Sequence, residues 1–352
     1  MKIALIRREY ITHLDGVNRF IALLAEGLAK LGHKPVIMSW CYSGVNRTRL
    51  REWFKEVHGL DSPLPIYTSR SGSCKGDPWL AIAWDWLTKG SRLLVKESVE
   101  AAIVNGVIPL RFRPRIAVIH DVGPAFTENT FLVAFAKRIF RSYDALVCVS
   151  SKTRGEVRDV LGLNCNHVIP IPMKLRSFRY IEPCERENII VHIGTRPIKN
   201  PHISIEALKI LRKRGYDIKL VIVGPPSNLP RVEGVEYRYA ISEEEKLELL
   251  HRAKALVLPS SYEGFSYTVL EAMMYGTPVV VSRAVPEEVV MDGFNGIGVN
   301  SFDPRDYANA LERLLLDGEL WLRLSRNGLE FVKQFDYIEI AKKYVNIIRE
   351  VL

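Results

Sequence analysis

Short runs of β-branched and apolar residues alternate with stretches of helical periodicity along most of the chain, and this alternation restricts the fold more than any other feature. "KIALI" (residues 2–6) precedes "VNRFIALLAEGLAKLG" (17–32), whose apolar residues recur at helical spacing and stop at Gly32. "KPVIMSW" (34–40), "AAIVNG" (101–106), "RIAVIHD" (115–121) and "ALVCVSS" (145–151) are further strand-like runs. Apolar strands separated by helices imply a parallel sheet buried on both faces. The expected class is α/β and doubly wound.

The alternation breaks once. "IPIPMKLRSFRYIEPCEREN" (169–188) has three prolines, many charges and no period, as a linker does. It then restarts with "IIVHIGT", "NPHISIEALKILRKRG", "IKLVIVG", "SEEEKLELLHRA", "ALVLPS" and "PVVVS". A length of 352 residues favours two domains. The expected division is a first domain over 1–172, joined by a returning C-terminal helix at about 336–352, a linker over 173–187, and a second domain over 188–335. Two such domains are expected to face each other across a cleft, with ligands at the carboxyl ends of the strands.

No apolar run reaches the roughly 20 residues that span a bilayer. "MKIALIRREY" meets charge too early for a secretory signal, so a cytoplasmic protein is expected. Five scattered cysteines, Cys41, Cys74, Cys148, Cys165 and Cys184, suggest thiols rather than a disulfide framework or a zinc site. Charge is uneven. Residues 1–180 hold 27 Lys and Arg against 15 Asp and Glu, while the remainder holds 22 against 25. A basic half can meet anionic lipid, a phosphorylated substrate or nucleic acid.

The most informative stretch is "PSSYEGFSYTVLEAMMYGTPVVVS" (259–282). A strand ends before it, and Ser266 is a plausible N-cap for a helix from about Tyr267 to Tyr275. Gly276 supplies a left-handed C′ residue, and Pro278 prevents continuation. Glu263, Gly264 and Phe265 therefore stand at a strand's carboxyl end beside a helix N-terminus, where amide groups and a positive dipole end are on offer. A carboxylate here can accept from sugar hydroxyls, and Glu271 two turns on can accept twice from a vicinal diol such as ribose.

The string E-G-F-S-x-x-x-x-E-A-M-x-x-G-T-P-V-V resembles the E-x7-E signature of the retaining family 4 glycosyltransferases (glycosyl transferases group 1), which have the GT-B fold. The resemblance implies two Rossmann-like domains and a C-terminal helix crossing back to the first. It implies donor-sugar contacts from Glu263, Gly264, Phe265 and Ser266, and a ribose contact from Glu271. "VHIGTRPIKNPH" (191–202) resembles the family's diphosphate-binding segment, with Arg196 and Lys199 on the phosphates at a spacing shorter than the family's commonest. A fork-shaped guanidinium beside a mobile ammonium suits that group. "RIAVIHDVGP" resembles the segment whose histidine lies at the reaction centre, which makes His120 a catalytic candidate beside Glu263. "HLDGVNRF" stands where the family has two glycines near phosphate and acceptor, and only Gly16 is present. "YRYAISEEEKLELL" matches the base-binding stretch near Tyr239 and Ile241. The likeness is weakest over 42–115, where acceptor recognition is expected.

The resemblance thus implies transfer of a hexose-type sugar from a UDP- or GDP-type donor to a glycan or lipid-linked acceptor, with retention. Neither a metal nor another cofactor is expected, since no D-x-D triplet occurs. Two other readings remain: a nucleotide-sugar isomerase related to 2-epimerases, and a basic nucleic-acid-binding protein, for which no aromatic-basic motif is seen. "FLVAFAKRIFRSY" (131–143) and "PWLAIAWDWL" (78–87) are the candidate segments for peripheral contact with an anionic membrane, at the inner face.

Overall fold

The structure, a computed structural model, describes residues 1–42, 44–68, 79–123, 130–226 and 228–352. It forms two compact units. The first comprises Met1–Lys174 and Phe335–Leu352, and the second Leu175–Gln334.

The first unit carries strands β1 (Lys2–Tyr10), β2 (Lys34–Cys41), β3 (Ile66–Thr68), β4 (Ala101–Asn105), β5 (Arg115–Ile119), β6 (Ala145–Cys148) and β7 (His167–Val168). They form one parallel sheet in the order β3-β2-β1-β4-β5-β6-β7. The alternation read from the sequence is thereby a doubly wound sheet whose central strands are buried on both faces. The order reverses between β1 and β4, the position at which sheets of this kind take ligands.

The helix Gly16–Lys30 buries Phe20, Leu24 and Leu28 and packs on the returning helix Tyr337–Val351. A Cβ at Gly27 would lie 2.5 Å from the Tyr337 carbonyl oxygen, so only glycine permits this approach. Where the chain leaves the unit, Lys174 Nζ is tied to Asp61 at 2.7 Å, to Glu26 at 3.1 Å and to the Gly59 carbonyl at 2.8 Å. Hydrogen bonds from Lys174 and Lys30 lower the Asp61 carboxyl to about 2.

The cysteines correct the reading made from spacing. Cys148, at the end of β6, is disulfide-bonded to Cys165, 17 residues on, and Cys41 is disulfide-bonded as well. Among the described residues Cys184 alone keeps a free thiol, and it is exposed. The pair was hidden because a parallel β6–β7 crossover brings its two ends together, and no short spacing marks that event. Closing a loop of this size is worth about 3 kcal/mol in the chain-entropy account. The Cys148→Ala/Cys165→Ala double variant is therefore expected to unfold at lower denaturant, with about that loss of stability in equilibrium unfolding. An unchanged midpoint would show the bridge to be inconsequential.

The second unit carries β8 (Glu187–Ile193), β9 (Lys219–Val223), β10 (Val235–Arg238), β11 (Ala253–Leu258), β12 (Val279–Ser282) and β13 (Ile297–Val299). Its parallel order is β10-β9-β8-β11-β12-β13, with the reversal between β8 and β11. Ile190, Leu220, Ile222, Val257 and Val280 belong to one core with Leu208, Leu211, Tyr307 and Leu311 from the covering helices.

Candidate active site

In the second unit, the reversal makes β8 and β11 neighbours although about 60 residues separate them in sequence. Their carboxyl-end loops consequently meet. Ser261 N–H donates to the Ile198 carbonyl at 2.9 Å, and Asn200 Nδ2 to the Pro259 carbonyl at 2.9 Å. Gly194 has φ +112, and a Cβ there would lie 2.8 Å from Lys199 Cγ, so the glycine lets the lysine side chain fold across it. Lys199 Nζ reaches Glu263 Oε1 at 2.5 Å. The structure thus brings these two candidates together. Arg196 stands three residues before Lys199 in an exposed loop, and its guanidinium makes no hydrogen bond or ion pair among the described residues. His192, buried in β8, bonds Ser204 Oγ at 2.9 Å and the Gly194 carbonyl at 2.8 Å, which fixes the base of this loop.

The helix predicted after Ser266 spans Tyr267–Met274. Ser266 occupies the N-cap position with extended backbone, but its side chain makes no capping bond. Phe265 and Ser266 are buried and Gly264 is half-buried. Gly276 takes φ +67, and Thr277 N–H bonds the Ala272 carbonyl at 2.9 Å, closing the helix as expected. Arg186 holds this end from outside. Its buried guanidinium donates to the carbonyls of Ala253, Tyr275 and Gly276 and to Thr277 Oγ1, and it lies 4.8 Å from the Trp321 ring centroid. Desolvation lowers it to about 10.

Glu271 is fully buried, and its Oε2 is ion-paired to Lys246 Nζ at 2.8 Å. Lys246 also pairs with Glu243 at 2.8 Å. A buried carboxylate is tolerable when paired in this way. Sequence reasoning missed Lys246 because it lies on a different helix, Glu243–Arg252, held by a capping box of Ser242 and Glu245. Tyr239 and Ile241 flank Ala240, a non-glycine residue at φ +52. Tyr239 is 43% exposed and stacks on Tyr237 with centroids 6.4 Å apart, leaving an aromatic face available.

In the first unit, the carboxyl ends of β1, β4 and β5 enclose a pocket of about 260 Å³. Arg7, Arg8, Asn105, Gly106, His120 and Asp121 line it, together with apolar side chains. Gly16 begins the helix Gly16–Lys30, exposed, and Asp15 caps it by accepting from Asn18 N–H. Asp15 also pairs with Arg7 at 2.8 Å. His120 Nε2 lies 2.9 Å from Asn105 Oδ1, and Phe20 meets the imidazole edge-on at 4.8 Å. Burial, reinforced by the charge of Arg7, lowers His120 to about 3. Burial lowers His192 to about 4. Unfolded histidine takes up its proton near 6.5, so these rings leave stability unaffected above that pH and reduce it progressively as the solution is acidified. Among the described residues, no three His, Cys, Asp or Glu side chains converge as a metal site requires.

The profile described as glycosyl transferases group 1 matches residues 176–331, and that described as glycosyltransferase family 4 matches residues 14–173. The chain is 30% identical to an MMP α-(1→4)-mannosyltransferase of Mycolicibacterium hassiacum, across 99% of this chain and 97% of the relative. The chain belongs to glycosyltransferase family 4. A glycogen synthase of Mycobacterium tuberculosis is 22% identical over 97% of this chain and 92% of its own length. Among solved structures, a sucrose-phosphate synthase of Thermosynechococcus elongatus superposes with TM-score 0.78 at 18% identity, covering 99% of this chain and 98% of that one. HepE of Anabaena, in complex with UDP and glucose, superposes at 0.75 with 16% identity, covering 99% and 100%. These likenesses show the GT-B fold. In this family 4 glycosyltransferase, each of the two sheets carries candidate residues at its own switch point.

Proposed function

We propose that this chain transfers a hexose-type sugar from a UDP- or GDP-type donor to a glycan or lipid-linked acceptor, with retention of anomeric configuration. The observation that carries this reading is the juxtaposition of Lys199 and Glu263 at 2.5 Å, with Arg196 on the same loop and Glu271 on the adjoining helix. Glu263, Gly264, Phe265 and Ser266 take the donor sugar, Arg196 and Lys199 the diphosphate, Glu271 the ribose, and Tyr239 and Ile241 the base. Gly16 approaches phosphate and His120 the sugar. Negative charge grows on the phosphate as it leaves, and the two cations stabilise it without a metal. Glu271 is assigned to ribose, so a covalent route with two carboxylates flanking one bond is replaced by front-face displacement.

The relatives named as a mannosyltransferase and a glycogen synthase, and the neighbour that holds UDP and glucose, support a nucleotide-sugar donor. Screening UDP, GDP and ADP sugars for release of the free nucleotide diphosphate, with anomeric NMR of the product, tests the reading. Release from none of them in the presence of a broad acceptor panel, or an inverted product, would overturn it. Turnover of the donor sugar into an epimer without acceptor would favour the isomerase instead.

The basic unit is proposed to rest on an anionic membrane face. Among the described residues no helix is long and apolar enough to cross a membrane. Yet Leu80, Trp84 and Val95 in the segment 79–96, and Phe131 in the helix Thr130–Phe140, are each more than 60% exposed. Arg92 and Arg111 line a shallow depression with Val95. Pro78 of the tryptophan segment lies outside the described residues. Each basic side chain near such a surface contributes about 1 kcal/mol, and salt screens it within about 10 Å at 0.1 M. Binding to anionic vesicles at low salt is expected, weakening at moderate salt, with none to neutral vesicles. Equal, negligible sedimentation with both would leave a soluble acceptor. Disulfides persist in oxidising compartments and in the cytoplasm of hyperthermophiles, so a cytoplasmic location goes with the second setting.

A further inference from the structure

The pocket at the first switch point holds a hydrogen-bond relay whose directions can be worked out. Asn105 closes β4 between β1 and β5, and it is almost fully buried at 2% exposure. Its Nδ2 donates to the Ile6 carbonyl of β1 at 3.2 Å. A carbonyl can only accept, so this bond fixes which way the amide points. Oδ1 is thereby turned toward His120, with Nε2 at 2.9 Å. An amide oxygen can also only accept, so Nε2 must carry the proton. A neutral imidazole has one N–H, and Nδ1 is then a bare lone pair. Nδ1 has no protein partner among the described residues, and the ring lines the pocket.

We propose that Asn105 is a positioning residue that locks His120 in the Nε2–H tautomer, so that Nδ1 faces the reaction as a hydrogen-bond acceptor for a sugar hydroxyl. This rests on the reading of the chain as a glycosyltransferase with His120 beside the sugar. His120 then fixes the direction of a hydroxyl hydrogen and donates no proton to the leaving group. The Phe20 edge contact at 4.8 Å restrains ring rotation, and the Ile6 bond restrains Asn105, so the relay is anchored on two strands and a helix. Among the described residues, the charged groups around the ring are Arg7 and Arg8 from β1, Asp15 paired to Arg7, and Asp121 next in the chain. Arg7 adds to burial in keeping the ring neutral through the neutral pH range.

The test uses the full chain and two variants. Long-range proton–nitrogen NMR of ring-labelled protein is expected to show the Nε2–H pattern for His120, unchanged between pH 8 and pH 5. Asn105→Leu removes the acceptor, and a mixed tautomer pattern is expected with kcat lowered about 10²-fold, the scale of a misplaced reacting group, while the donor KM moves little. Asn105→Asp keeps an acceptor of nearly the same shape but adds charge that favours the imidazolium. It is expected to retain the Nε2–H bond and to introduce an acid limb into the rate profile nearer neutrality. The Nδ1–H tautomer or an imidazolium in the native protein at neutral pH would overturn the proposal. So would an unchanged tautomer and kcat in a folded Asn105→Leu. The tautomer reading needs no substrate, so absence of any donor turnover would sink the functional reading and leave this one standing on NMR.

Discussion

Glu271→Gln is expected to weaken binding of the nucleotide diphosphate by roughly one to two decades, the worth of one of its two ribose bonds. The carboxylate can accept from both hydroxyls of a ribose, and hydrogen bonds to a charged group are worth about 1.5–3 kcal/mol each. Glutamine keeps the shape but offers one acceptor oxygen and a competing donor. The structure adds a reason for a large effect. Glu271 is fully buried and held by Lys246 at 2.8 Å, so its orientation is set before any ligand arrives. Lys246 keeps a second partner in Glu243, which limits the cost of the substitution to folding. Calorimetry with UDP and GDP, alongside thermal melting, separates the two effects. Unchanged affinity in a folded variant would remove Glu271 from the nucleotide site and leave it as a buried tie between two helices.

Arg196→Ala is expected to lower kcat by roughly 10²–10³-fold, the range for losing one preorganised donor to a developing oxyanion. Melting temperature is expected to stay nearly constant, because the exposed guanidinium has no bond to lose among the described residues. Lys199 differs, since its ammonium is already engaged with Glu263 at 2.5 Å. On the proposed reading, removing Arg196 deletes a charge that meets the diphosphate, whereas removing Lys199 also leaves Glu263 without that partner. A loss confined to the donor KM, with kcat intact, would place Arg196 in ground-state binding alone. Chelator is expected to leave the rate unchanged, and a metal-restorable loss would contradict the role given to the two cations.

Much of the architecture was legible because its signals are local. The β-branched runs, the glycine closing the helix after Met274 and the proline-rich break near residue 170 each act within a few residues. The Glu263 and Glu271 string was legible for the same reason: one strand, one loop and one helix contain it. The residues that hold the candidate side chains and their elements in place were not. Lys246, Asn105, Arg7 and Arg186 carry no motif, and each meets its site across a strand pairing or a helix contact.

The cysteine pair makes the same point from the other side. Spacing suggested isolated thiols, and the β6–β7 crossover joined Cys148 to Cys165. By itself the sequence determined two parallel α/β units, the strand-end positions of the candidate residues and the family resemblance, since period and turn chemistry are properties of neighbouring residues. Tertiary structure alone decided that Lys199 pairs with Glu263, that Lys246 pairs with Glu271 and that Asn105 hydrogen-bonds His120. Those contacts depend on which strands lie side by side, and strand order is set by burying all the helices and strands at once, which no local window contains.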